Sequence, residues 1–141
     1  MTAIDPVVGT WKLNLAKSNF MNGPTPFTYK SATRVYTQGP DGITSKVTAV
    51  KDDGSPFSEH MTFKEDGKFY PHMANPMMDT MAVERVDEHT MALTAKKGDR
   101  VVGIGTRTIS PDGKILRMTF VYNDAEGVLR GHVVAYDRQP E

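Results

Sequence analysis

Apolar and polar residues alternate with a period of two along most of this chain, and no segment holds a 3.6-residue period for three turns. Alternation puts every second side chain on one face of an extended backbone. It predicts strands at about 9–15, 32–38, 43–50, 57–63, 68–72, 80–86, 90–95, 101–109, 115–122 and 128–137. Between them lie Gly39-Pro40-Asp41-Gly42, Asp52-Asp53-Gly54, Glu65-Asp66-Gly67, Lys97-Gly98, Pro111-Asp112-Gly113 and Asp124-Ala125-Glu126-Gly127. Asp-Gly supplies the positive φ angles of tight hairpins, because glycine has no Cβ to clash. Short hairpins between neighbours imply an up-and-down meander. The expected fold is all-β: one closed antiparallel barrel of eight to ten strands, forming a single domain over 1–141.

Two segments break this rhythm. Residues 16–30 carry Asn22-Gly23-Pro24-Thr25-Pro26, which suits a lid or plug, and 15–20 has room for a short helical turn. Residues 72–79 place Met73, Met77 and Met78 around Asn75-Pro76. Loops longer than a hairpin turn tend to cover binding sites, and they also serve as plain surface connections.

Parity assigns faces. With Asp137 outside, Arg130, His132, Val134 and Tyr136 point inward. Leu116, Met118, Phe120 and Tyr122 form the inner set of the preceding strand, against Arg117, Thr119 and Asn123. Phe57, Glu59, Met61 and Phe63 face in, as do Met81, Val83 and Arg85, and then His89, Met91 and Leu93. The strand at 101–109 is ambiguous. Gly103 and Gly105 share a face with Arg107, and glycines there mark a bend or a close approach. The expected lumen is lined by Glu59, Met61, Phe63, Met81, Arg85, Met91, Met118, Phe120, Tyr122 and Val134. Methionine is flexible and polarizable, so such a wall adapts to irregular apolar ligands. One methionine at a time equally well fills a solid core. Ionisable groups at inner positions favour a container, because a dry core does not tolerate them without partners.

Lys and Arg number 17, as do Asp and Glu, and no basic block is present, so the electrostatic footprint of a nucleic-acid binder is missing. No apolar run approaches the roughly 20 residues that span a bilayer. Without cysteine there is no disulfide framework and no thiolate chemistry. Met1-Thr2-Ala3-Ile4-Asp5 lacks the basic and apolar regions of a signal peptide, so a cytoplasmic protein is expected, monomeric or homodimeric. His60, His72, His89 and His132 lack metal-ligand spacing, so no metal is expected. Gly103-Ile104-Gly105 is no dinucleotide loop, and no cofactor is expected.

The residues with catalytic potential are His132, Tyr136 and Arg130. Side chains two apart on a strand lie about 6–7 Å from each other on one face, so all three can address one ligand. Histidine is the group best suited to move protons near neutral pH. Three readings follow. The chain binds a small, mostly apolar ligand, or performs cofactor-free acid–base chemistry (isomerase, lyase, cyclase or hydrolase) on a substrate in the same lumen, or is an interaction module with a solid barrel.

Val8-Gly9-Thr10-Trp11-Lys12-Leu13 resembles the Gly-x-Trp opening of the calycins, which include the lipocalins and the intracellular fatty-acid-binding proteins. In that superfamily the Trp packs across the closed end of the barrel against an Arg just after the final strand, and Arg138 occupies that place. The resemblance implies a lipocalin-like or fatty-acid-binding-protein-like barrel sealed by a guanidinium stacked on an indole. Strand number is closer to the ten-stranded fatty-acid-binding group. The spacing of Arg130 and Tyr136 departs from that group's clamp, whose Arg and Tyr are two apart. The stretch Gly-Thr-Trp-Lys-Leu-Asn also resembles uncharacterised bacterial lipocalin-like proteins.

Overall fold

The computed structural model consists of ten strands: β1 (Gly9–Met21), β2 (Tyr29–Gly39), β3 (Gly42–Lys51), β4 (Pro56–Phe63), β5 (Asp66–Pro71), β6 (Thr80–Arg85), β7 (Thr90–Lys97), β8 (Arg100–Ile109), β9 (Ile115–Asn123) and β10 (Leu129–Arg138). It describes residues 4–21, 29–51, 53–72, 78–123 and 126–140, with the side chains of Phe20, Met21 and Arg130 outside that description. All pairings are antiparallel, in the order β4-β3-β2-β1-β10-β9-β8-β7-β6-β5. Chain neighbours pair throughout, and β1 joins β10, so the sheet curls into a barrel that is nearly closed. Among the described residues β4 and β5, the two ends of this order, do not pair with each other, and the seam lies between them. No helix occurs among the described residues, and hence none long and apolar enough to cross a membrane.

The strands follow the alternation, with one informative difference. Residues 15–20, which have room for a helical turn, belong to β1 instead. The register against β10 shifts between Asn14 and Asn19, marking a bulge. Inside it the Ser18 hydroxyl donates to Asn14 O at 2.8 Å and accepts the Ala135 N–H at 3.0 Å. The serine side chain thus replaces a missing ladder bond, so β1 absorbs extra residues without leaving the sheet. Of the segment 16–30 read as a lid or plug, 16–21 belong to β1 and 29–30 to β2, and the remainder, 22–28, lies outside the described residues, as do Met73 and Met77 of the second irregular segment.

Trp11 seals one end. It is fully buried, and its indole N–H donates to Val7 O at 2.8 Å. The Arg138 guanidinium lies 4.2 Å from the indole centroid. It donates through Nε to Gly113 O at 2.7 Å, through Nη1 to Val8 O at 2.8 Å, and through Nη2 to Pro6 O. One side chain therefore ties the incoming chain, the β8–β9 connection and the last strand to the indole. Gly9 makes room for it: its φ is +141°, and a Cβ there would stand 2.6 Å from Arg138 Nη1. Glycine opens the Gly-Thr-Trp stretch for that reason.

Trp11→Ala is expected to cost on the order of 3–5 kcal/mol, as other large core truncations do. Gly9→Ala should cost about 1–3 kcal/mol through backbone strain and displacement of the guanidinium. Urea denaturation with linear extrapolation measures both; a Gly9→Ala protein as stable as wild type would contradict the close-approach explanation.

Candidate functional site

The inward faces enclose a cavity of about 110 Å³. Its walls are mostly apolar, with Met61, Met78, Met81, Met118, Phe63 and Phe120 among the lining side chains. Gly105 shapes one wall. A Cβ at that position would meet Thr119 O at 2.1 Å and Phe120 Cδ1 at 2.7 Å. The bare backbone of β8 lets the Phe120 ring lie across it, which explains the two glycines in this strand. Phe120 in turn stacks on the His132 ring at 6.2 Å and packs 6.1 Å from Tyr122.

The polar groups fall into two sets. At the end near Asp5, Arg107 is almost fully buried and donates to Glu65 Oε2 at 3.1 Å. Its guanidinium also lies 5.3 Å from the Tyr36 ring centroid. Glu65 Oε1 accepts from Arg85 at 2.9 Å, and Arg85 reaches Asp5 at 2.6 Å. Burial opposes the charge on Asp5, yet hydrogen bonds from Glu65 and from the Val7 N–H, with the charge of Arg85, hold its pKa below the ordinary value. Burial first, and then Asp5, push Glu65 upward. This network is internally satisfied. It joins the β4–β5 connection to β6 and β8 and braces the seam.

The second set is less satisfied. Arg34 on β2 lines the cavity, and its guanidinium carbon sits 5.2 Å from the Tyr136 ring centroid. Burial pulls the Arg34 pKa down, and proximity to Tyr136, Tyr36 and Glu59 pushes it up by more, so the group stays charged. Arg34 Nε and Tyr136 Oη are shielded from solvent and make no well-formed hydrogen bond among the described residues, although the two side chains lie close enough to each other for a weak one. No ion pair joins Arg34 to a described carboxylate. Native interiors rarely leave such groups unmet. Glu59 is nearly buried on β4, with its Oε2 3.9 Å from His72 Nδ1. Burial lowers the His132 pKa to about 4, and the Arg34 charge adds to the effect, so His132 is neutral at pH 7.

Of the residues expected at the site, Glu59, Met61, Phe63, Met81, Met118, Phe120, Tyr122, His132, Val134 and Tyr136 line this one cavity. Arg130 lies on β10 with its side chain outside the described residues. Arg85 and Met91 do not line it. They pair across β6 and β7 at the end near Asp5, where Arg85 is partly exposed within the ion network and Met91 is buried in the core. Parity had fixed their face but not their height along the barrel. The sequence reading missed Arg34, Tyr29, Tyr36 and His72. Ala32, Arg34 and Tyr36 do share a parity, but Thr33, Val35 and Thr37 form an equally strand-like set on the other face, so alternation alone did not choose between them.

No protein-family model and no curated protein sequence matches this chain. Solved structures do. One is a protein of unknown function from the DUF3598 family of Nostoc punctiforme, with a TM-score of 0.61 and 12% identity over 98% of this chain. This chain corresponds to 49% of that one, about half its length. Another is the zebrafish ileal bile acid-binding protein complexed with cholic acid, with a TM-score of 0.51 and 13% identity over 95% of this chain and 99% of that one. At these identities the likeness concerns the fold alone, an antiparallel up-and-down barrel of the lipocalin-like or fatty-acid-binding-protein-like type.

The pKa of His132 makes stability depend on pH. An unfolded histidine takes up a proton near pH 6.5, whereas this one resists until about pH 4. Its contribution is therefore complete above pH 6.5 and is lost as the pH falls toward 4, by at most about 3 kcal/mol. Urea denaturation at pH 7.0, 5.5 and 4.5 should show His132→Gln losing less stability over this range than wild type. Parallel curves for the two proteins would contradict the buried neutral imidazole.

Proposed function

We propose that this protein binds a small, mostly apolar molecule in the barrel lumen. The observation that carries the reading is the pairing of an apolar, methionine-rich cavity with shielded polar atoms, Arg34 Nε and Tyr136 Oη, that make no well-formed hydrogen bond among the described residues. An apolar pocket with a few convergent polar groups is the usual form of a small-molecule site. The bound cholic acid of the zebrafish protein supports the same use of the fold. The cavity, at about 110 Å³, is smaller than the several hundred Å³ typical of drug-sized ligands. An apolar cavity of ~150 Å³ holds benzene, so the matching ligand is about one ring in size, unless the methionine walls give way.

Cofactor-free acid–base turnover in the same lumen is the less favoured reading. With a pKa of about 4, His132 is a weak base and is unprotonated at neutral pH, which suits a hydrogen-bonding role better than proton transfer.

Native mass spectrometry of protein purified from the cells that make it tests the proposal. The expected result is a mass excess from a bound small molecule, reduced in Arg34→Met. A bare mass that gains nothing on incubation with a metabolite extract of those cells would overturn it. Once the ligand is known, His132→Ala should weaken binding by about 1 kcal/mol, a hydrogen bond's worth. A reaction whose rate falls by about 10²-fold or more in His132→Ala while binding persists would move the assignment to catalysis.

A further inference from the structure

Given the binding role proposed for the lumen, its width decides which guest enters, and that width can be traced to one ring. Gly103 and Gly105 on β8 and Ala95 on β7 stand at inward-facing positions, yet they present no more than a methyl group to the lumen. The Phe120 ring fills the space they leave. The seat is tight: a Cβ on Gly103 would stand 2.7 Å from Phe120 Cε2 and Cζ, and one on Gly105 would stand 2.7 Å from Cδ1. Phe120 is 8% exposed and lines the cavity, so its ring has β8 behind it and the lumen in front.

The two glycines differ in what they provide. At Gly105 a Cβ also meets the Thr119 carbonyl oxygen at 2.1 Å, so the backbone of β9 alone excludes a side chain there. At Gly103 the φ angle lies outside the left-handed region, and the nearest obstacles are side-chain atoms, first the Phe120 ring and then Tyr122 Cβ at 3.0 Å. An alanine therefore suits the strand at 103 but not the ring where it lies. What glycine supplies there is room for Phe120. A methyl group at 103 points inward and would drive the ring into the lumen.

Other walls are less suited to set a width. Met61, Met78, Met81 and Met118 are unbranched side chains that repack around a guest. Phe63 and Tyr36 lie 5.9 and 5.3 Å from the Arg107 guanidinium, which Glu65 holds, so they are fixed with the ion network. Across the row Val83–Leu93–Gly105–Phe120–His132, from β6 to β10, Phe120 is the bulkiest side chain. We infer that Phe120, seated on Gly103, is the specificity-determining residue that limits the guest to one ring.

Toluene and naphthalene test this, because neither carries a polar group and their binding reads the shape of the lumen alone. Binding is followed through the ¹³C-methyl signals of Met61, Met78, Met81 and Met118. The proteins compared are wild type, Phe120→Ala, the milder truncation Phe120→Leu, Gly103→Ala, and the double variant Gly103→Ala/Phe120→Ala. Wild type is expected to bind toluene about tenfold or more tightly than naphthalene, which overfills the space. Phe120→Ala should shift the preference toward naphthalene by about tenfold or more, the worth of burying its additional carbons. Phe120→Leu should move it the same way by less. Gly103→Ala should weaken toluene by about tenfold, and only while the ring is present. Between Phe120→Ala and the double variant the change should stay within about twofold.

Naphthalene binding to wild type as tightly as toluene would overturn the inference and leave the binding role standing. So would truncations of Phe120 that leave the preference unmoved. A Gly103→Ala effect of equal size with and without the ring would overturn it too, because the glycine would then act through the backbone. Methionine signals that respond to neither probe in any of these proteins would instead remove the binding role, and the inference with it.

Discussion

The contact between the Arg138 guanidinium and the Trp11 indole is the interaction on which the rest of the structure depends. A meander of strands has two free edges unless its ends meet, and β1 meets β10 in register at this pair. The indole closes the end of the barrel as an apolar plug. The guanidinium covers it and uses its donors on three carbonyls from two separate parts of the chain. A cation stacked on an indole is worth about 0.5–2 kcal/mol, but the carbonyls it ties down set the geometry. With that end sealed, water is kept from the floor of the lumen, and the side chains above it are held in a low-dielectric space.

Two arginines described in that space, Arg107 and Arg34, have different tasks. Arg107 is buried, paired with Glu65 and packed over Tyr36, and Glu65 is shared with Arg85, which also binds Asp5. Replacing one member of such a network would leave a buried charge uncompensated, so the network locks the β4–β5 seam. Arg34 is treated differently. It has an aromatic face beneath it and a carboxylate two strands away, but no direct ionic partner among the described residues. The contrast within one molecule is the physical basis for assigning structure to the first arginine and recognition to the second.

Much of this was legible in the sequence. Strand positions follow from alternation and Asp-Gly turns, because a half-buried strand has no other way to sort its side chains. Barrel closure follows from the Gly9-Thr10-Trp11 opening and Arg138. The inner faces of β4 and β9 could be read because one parity was clearly more apolar, and that of β10 because Asp137 marked the opposite parity as the outer one. Arg85 shows where parity stops, since it gives a face but not a depth, and the ion network that captures it includes Asp5, 80 residues earlier. Arg34 was hidden by the β-branched residues on both sides of it. The bulge at Ser18 depends on a hydroxyl contact with Ala135, 117 residues away, which no local pattern announces.

The central claim is that Arg34 and Tyr136 keep their hydrogen-bonding capacity for a guest. A crystal structure of the protein purified from the cells that make it, without added ligand, tests this most directly. The account predicts ordered non-protein atoms in the cavity, with an acceptor within hydrogen-bonding distance of Arg34 Nε and Tyr136 Oη. An Arg34 side chain swung onto Glu59 in a direct ion pair, with the cavity collapsed around it, would contradict the account.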